Sequence, residues 1–314
     1  MREPNVFSGP YADRVAHLRK DAAAVDGLIE APGTRVLPVH RARNLVRRQA
    51  DGWTIEFLGV AAALELAPAS EWILLGRFRG EAHFLCEVDT ERTLDDPAVS
   101  YEELRRTGGG LATDEAGLLA YARAMVLWRA RSRHCGTCGA PNRPTSAGHV
   151  MTCTREGCGA EHFPRLDPAI IVLVTDGEHA LLGRQAGWPE GRYSTIAGFV
   201  EPGESLEDAV AREVHEETGV TVLGAEYHSS QPWPFPSSLM IGYTAMAAPG
   251  QLPRADEELE DVRWFSRDDI AAGRVGLPYP LSVSYRLIED WYDAGASRRL
   301  RDTPGVRSWG RGER

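Results

Sequence analysis

Apolar residues along the chain come in two patterns. Over the first 131 residues, short apolar segments at 53–60, 71–76 and 82–88 alternate with Gly and Pro, and their lengths suit strands. Thr-Gly-Gly-Gly at 107–110 reads as a flexible end to that region. Beyond it Asp114 is placed to cap a helix, along which Leu118, Leu119, Ala122, Met125 and Val126 follow helical spacing. From 169 the run Ala-Ile-Ile-Val-Leu-Val predicts a buried strand over 169–175, and Asp176-Gly177 turns it into a hairpin with 179–183. Further strands are expected at 220–227, 239–247 and 262–265, and helices at 205–218 and 282–294. Elements mixed in this way predict an α/β domain. The six arginines of 298–314, with Pro304, Gly305 and Gly310, read as a flexible basic tail.

No apolar run approaches the roughly 18 residues that would span a bilayer, and residues 1–21 hold no apolar signal core. The expectation is a cytoplasmic protein with no membrane contact. A length of 314 residues suggests about two domains. The net charge of −10 opposes attraction of nucleic acid by the molecule as a whole, while leaving room for local basic patches. Lys20 is the single lysine among 35 basic residues, a bias read as genomic composition.

Four of the five cysteines crowd into 135–158 and Cys86 stands apart, which is no disulfide framework. Cys135 and Cys138, then Cys153 and Cys158, offer four thiolates from two knuckles, the donor set of a closed, structural zinc site in a zinc ribbon. A redox pair or a set of buried thiols are the alternatives. The second knuckle is wider than usual, which Gly157 and Gly159 would ease. Arg129, Arg131, Arg133 and Arg143 give the ribbon only moderate basicity for binding nucleic acid.

Residues 198–220 carry the chemistry. Ser205 and Asp208 form a capping-box pattern and Gly219 stands where a helix ends, so a helix is predicted over 206–218. Counted at about 100° per residue from Leu206, Ala209 and Val210 at about 300° and about 40° define a core-facing stripe. Glu216, Glu213 and Glu217, at about 280°, about 340° and about 20°, continue it. Three carboxylates turned inward repel one another unless a cation neutralises them. Hard oxygen donors favour Mg²⁺ or Mn²⁺, ions that bridge to substrate phosphates. A solvated acidic helix face is the alternative.

Gly198, Glu204, Arg212-Glu213-Val214, Glu216-Glu217 and Gly219-Val220 resemble the Nudix box at every defined position. Its seven fixed identities, the two valines aside, would coincide by chance on the order of 10⁻⁸ per start position. The resemblance implies hydrolysis of a nucleoside diphosphate linked to another group. It places Glu213, Glu216 and Glu217 on divalent ions, gives Glu217 or its neighbour the activation of water, has Arg212 orient a helix carboxylate, and lets Gly198 and Gly203 shape the loop.

Downstream, Ser230-Gln231-Pro232-Trp233-Pro234-Phe235-Pro236-Ser237-Ser238 is a stiff extended strip, since each proline restricts itself and its predecessor. Alone, such a strip suits packing at a domain or subunit contact as readily as stacking on a flat ring. It is similar to the array that marks the NADH pyrophosphatase (NAD⁺ diphosphatase, NudC-like) branch of Nudix hydrolases. That likeness implies cleavage of NADH or NAD⁺ to NMN(H) and AMP by a homodimer, with removal of NAD caps from RNA in some members. By position, Phe199 would stack on the base, Gln231, Trp233 and Ser238 would line the site, and Phe163 would face the ligand or simply pack. Glu258 fits the place of a further metal carboxylate, with Asp256, Glu257, Glu260 and Asp261 as neighbours in the same acidic run.

The expected fold is therefore a Nudix α/β/α sandwich with a mixed sheet at 168–296. Ahead of it come an N-terminal α+β domain at 1–131 and a zinc ribbon at 132–167; the tail at 297–314 follows. A catalytically silent Nudix module that senses a nucleotide is the competing reading.

Overall fold

The apolar run at 169–174 lies in the strand Asp167–Thr175, at the centre of a six-stranded mixed sheet. Successive side chains of a strand point to opposite faces, so a continuous apolar run needs a core on both sides. Ile170, Val172 and Val174 meet Ala209, Val210 and Val214 of the helix Leu206–Thr218 on one face. Ile171 and Leu173 meet Leu287, Ile288 and Trp291 of the helix Val283–Gly295 on the other. The layers are α/β/α. Asp167–Thr175 pairs in parallel with Ser238–Ala247 and antiparallel with both His179–Gln185 and Ile196–Phe199. His179–Gln185 in turn pairs antiparallel with Leu259–Ser266, an edge strand, and Val222–Trp233 forms the opposite edge.

These elements come from a computed structural model, which describes residues 4–9, 11–89, 96–248, 250–256 and 258–309. Glu257 and residues 310–314 lie outside the described residues. The chain divides into two units: one holds 6–166 with 233–237, the other 4–5, 167–232 and 238–309. The ribbon expected at 132–167 falls inside the first unit, as a three-stranded sheet of Asn142–Thr145, Val150–Cys153 and Glu161–His162.

The first unit repeats the pairing pattern of the second. Arg35–His40 pairs in parallel with Glu81–Glu87 and antiparallel with Arg43–Gln49 and Leu58–Gly59. Arg43–Gln49 pairs antiparallel with Val99–Glu102. In chain order these are the same partnerships, in the same senses, as those around Asp167–Thr175. The helix Thr113–Arg131 covers one face through Leu118, Leu119, Ala122, Met125 and Val126. The helices Ala22–Glu30 and Val60–Leu64 supply Leu28 and Ala63 to the other. Where the second unit has the 13-residue helix Leu206–Thr218, the first has the five residues Val60–Leu64.

Three expectations need correction. Asp114 does not cap its helix: the N-cap is Ala112, and Asp114 sits in the first turn facing Arg79. Gly108–Gly110 is a 3₁₀ turn with Gly108 buried, not a flexible end. The tail is docked through residue 309. Leu300 is fully buried, Arg307–Ser308 pairs with Gly276–Leu277, and Trp309 sets its ring edge-on to Trp188 at 4.8 Å while donating to the Gly276 carbonyl. Leu300 and Trp309 anchor the segment, and Arg301 between them pairs with Glu289. Among the described residues no helix is long and apolar enough to cross a membrane.

Candidate active site

Local signals place the glutamates. Ser205 accepts from the Asp208 amide and Asp208 accepts from the Ser205 amide, a complete capping box that fixes the first turn of Leu206–Thr218. Gly219 ends the helix at φ 68°, a left-handed conformation that glycine adopts without Cβ strain. Ala209, Val210 and Val214 bury one stripe against the sheet. Glu217 continues that stripe and is buried, Glu213 is half-buried, and Glu216 stands at the rim with its side chain 56% exposed.

Arg212 ties the box together. Its guanidinium pairs with Glu204 at 2.5 Å, with Glu213 and Glu216 at 2.9 Å each, and donates to the Phe199 carbonyl at 2.9 Å. A planar fork reaches four acceptors at once in a way an ammonium does not. Glu204 is itself fixed by the Glu201 amide. Arg212 and that amide hold its carboxyl down to about 2. The strand Ile196–Phe199 passes directly beneath Glu213, and a Cβ on Gly198 would fall on that carboxylate. Any larger residue there would force the carboxylate to move, so the glycine is what leaves Glu213 its place.

Charge converges on Glu217. Burial first, then the negative charges of Glu213, Glu258, Asp256 and Glu216, push its carboxyl up to about 8. Burial likewise raises Glu213, against the lowering effect of Arg212. Glu258 therefore belongs to the electrostatic neighbourhood of both. It is held by Asp256, whose side chain accepts from the Glu258 and Leu259 amides. Sequence reasoning missed what anchors this loop. The Arg254 amide donates to the Thr218 carbonyl at the helix end, and Gln251 exchanges two hydrogen bonds with the Thr221 backbone. No motif marks either residue. Hard carboxylates around one buried acid have the donor chemistry of a divalent-cation site, though among the described residues their oxygens do not close to within 4.8 Å of one another as the cysteine sulfurs do.

The strip residues separate. Gln231 is fully buried, its amide donating to the Leu281 carbonyl and accepting from the Val283 amide at the start of the second helix. Ser238 is buried at the start of its strand. Trp233 lies 6.2 Å from the Phe7 ring and 5.1 Å from Phe235, packed on the core of the first unit. Phe199, at the end of its strand, is 60% exposed beside the Arg212 clamp, and Phe163 is exposed beyond the ribbon. Among the described residues, the metal-suited group whose ligand atoms all lie within 4.8 Å is Cys135, Cys138, Cys153 and Cys158. Sulfur separations of 4.0 Å (Cys135 to Cys158) and 3.5 Å (Cys138 to Cys153) bracket the edge of about 3.8 Å that tetrahedral zinc–thiolate bonds imply. The cluster fits zinc. His162 Nε2 at 3.4 Å and the Thr137 amide support the Cys135 sulfur.

Comparison with known proteins finds two domain families in the chain. The NUDIX domain matches 165–283, and an NADH pyrophosphatase-like rudimentary NUDIX domain matches 33–128. The second match accords with the repeated pairing pattern. A Mycobacterium bovis (strain BCG / Pasteur 1173P2) protein named NAD-capped RNA hydrolase NudC is 39% identical over 311 residues, 93% of this chain and 96% of the relative. A protein of the same name from Stutzerimonas stutzeri is 44% identical over 215 residues, 68% of this chain and 75% of the relative. Among solved structures, a Nudix hydrolase from Nitrosomonas europaea matches 56% of this chain and 97% of its own length, at 19% identity and a TM-score of 0.42.

Proposed function

The chain belongs to the NudC family of Nudix hydrolases, and on that premise we propose that it hydrolyses the pyrophosphate of NADH or NAD⁺ to NMN(H) and AMP, and removes NAD caps from RNA. The observation that carries this reading is the carboxylate constellation of the glutamate helix. Buried Glu217 feels the charges of Glu213, Glu216 and Glu258, and Arg212 pairs with Glu213 and Glu216. A silent sensor has no use for negative charges gathered around a buried, raised carboxyl.

Glu213, Glu216, Glu217 and Glu258 would hold Mg²⁺ or Mn²⁺, which when bound neutralises pyrophosphate charge and makes water a better nucleophile. Glu217, the most buried of the four and pushed up to about 8, would lose its proton when a cation binds beside it and is then suited to accept the proton of the attacking water. Arg212 keeps Glu213 and Glu216 in place, and Glu204 keeps Arg212 in place. Exposed Phe199 offers a ring face for a base to stack on. Ser238 and Gln231 shape the wall, Gln231 through its two backbone bonds. Trp233 and Phe163 complete the assignment as ligand contacts, and zinc at the four cysteines is structural. The active form we propose is a cytoplasmic homodimer.

The test is product analysis after the full-length protein meets NADH, NAD⁺, ADP-ribose and NAD-capped RNA, each with Mg²⁺ or Mn²⁺. AMP and NMNH are expected from NADH, and Glu217→Gln should lower turnover by about 10²- to 10⁴-fold, the usual worth of a positioned base. A wild type that binds these nucleotides and cleaves none of them would establish the silent sensor instead.

A further inference from the structure

The first unit's counterpart of the glutamate helix, Val60–Leu64, carries no carboxylate, yet the unit holds a cleft of about 660 Å³, within the range of small-molecule sites. All of its walls belong to that unit: the helix Ala22–Glu30, the 3₁₀ turn Ala69–Glu71 and the ribbon hairpin. Three cations line it, Arg19 and Lys20 from one side and Arg143 from the other. None of the three has a carboxylate partner among the described residues. Arg19 donates to the Arg14 carbonyl at 3.3 Å, and its Nε is shut from solvent with no hydrogen-bond acceptor. A guanidinium nitrogen buried without an acceptor costs stability, which a shift of the Arg19 side chain toward an anion in the cleft would recover.

The remaining lining gives the ligand its shape. Trp72 and Phe84 lie almost fully buried beneath the cleft, and the apolar surface open to a flat ring comes from half-buried Val25 and Ile29. Asp26 and Glu161 also line it, their carboxylates without a hydrogen-bond or ion-pair partner among the described residues, which leaves acceptors for hydroxyl or amino groups. Lys20, the single lysine of the chain, brings a mobile ammonium with three donors to the rim, suited to a terminal phosphate. Unpaired cations, an apolar surface and free acceptors in one cleft match the phosphate, ring and ribose of a single nucleotide.

We propose that this cleft binds a nucleoside monophosphate, without a divalent cation and apart from the carboxylate site. AMP is the probe, because it carries all three features. Equilibrium dialysis of labelled AMP against the full-length protein in EDTA should find one site per chain, and that site should survive Glu217→Gln. Reversing two exposed charges, Lys20→Glu with Arg143→Glu, should weaken it at least tenfold. Ser70→Trp, which narrows the mouth and alters no charge, should do the same. Thermal unfolding midpoints within 2–3 °C of wild type, about the shift of 1 kcal/mol in a chain of this size, verify that these variants fold. AMP binding that is absent in EDTA, or indifferent to both kinds of variant, overturns the proposal. Inorganic phosphate that displaces AMP at equal concentration overturns the nucleoside assignment.

Discussion

Gly198 and His149 show how single positions are fixed by what surrounds them. At Gly198 the constraint is steric: the Glu213 carboxylate occupies the volume a Cβ would need. Gly198→Ala must push that acid or its strand aside, and a displacement near 1 Å at a catalytic group costs about 10²-fold. The expected result is a loss of that order in kcat with an unchanged far-ultraviolet circular dichroism spectrum; full activity would show that Glu213 has room to move. At His149 the constraint is electrostatic. The imidazole is buried, its Nε2 donates to the Leu74 carbonyl at 2.7 Å, and Tyr121 lies beside it. Burial, aided by the positive charges of Arg19, Arg14 and Arg129, pushes it down to about 4. A histidine lowered on folding leaves the unfolded chain holding more protons between its ordinary value and the lowered one. Its contribution to stability is complete above about pH 6.5 and is lost as pH falls toward 4. Urea unfolding across that window should show wild type losing on the order of 3 kcal/mol more than His149→Gln.

At the scale of elements, legibility in the sequence followed the strength of local signals. The helix Leu206–Thr218 was readable because a capping box, a helical apolar stripe and a terminal glycine agree within 15 residues. The central strand was readable because a run buried on both faces is apolar throughout. The repeat of this topology in the first unit was not readable. Its marker, the acidic helix, has shrunk to Val60–Leu64, and sheet pairing between strands 40 residues apart leaves no local trace. The edge strand reaches Trp233 where the sequence suggested an end near Tyr227, since proline's extended conformation is compatible with an edge. Of the candidate site, the helix acids were legible from spacing, whereas the anchoring by Gln251 and Arg254 depends on contacts that spacing does not encode. The ribbon carries the prediction at this scale. Strands of four, four and two residues bury too little to stand without their metal. Elemental analysis should find one zinc per chain. A strong chelator should lower the unfolding midpoint and zinc should restore it, while magnesium should not.

For the whole molecule, two sheets of the same pairing pattern divide the chemistry by the length of one helix. The thirteen-residue helix carries Glu213, Glu216 and Glu217 along its inward stripe, and its five-residue counterpart carries no carboxylate. What completes the catalytic unit is the end of the chain, where composition suggested mobility. Leu300 enters the core with Leu287, Ile288 and Trp291, and its amide donates to Asp293 at 2.7 Å. Gly276–Leu277 gains a strand partner from Arg307–Ser308. Removing a buried leucine side chain alone costs about 2–5 kcal/mol, and loss of the strand and the Trp309 contact adds to that. A chain ending at Ser297 should therefore unfold at clearly lower urea concentration than wild type, and Leu300→Ala should account for most of the shift. Neither change touches Arg212, Glu213 or Glu217. NADH hydrolysis at 25 °C should then persist in both, with the loss appearing only as the assay temperature rises. A truncated chain with the wild-type midpoint would return residues 298–309 to the status of a solvated tail, whereas a stable truncated chain with lost activity would assign them a place at the carboxylate site.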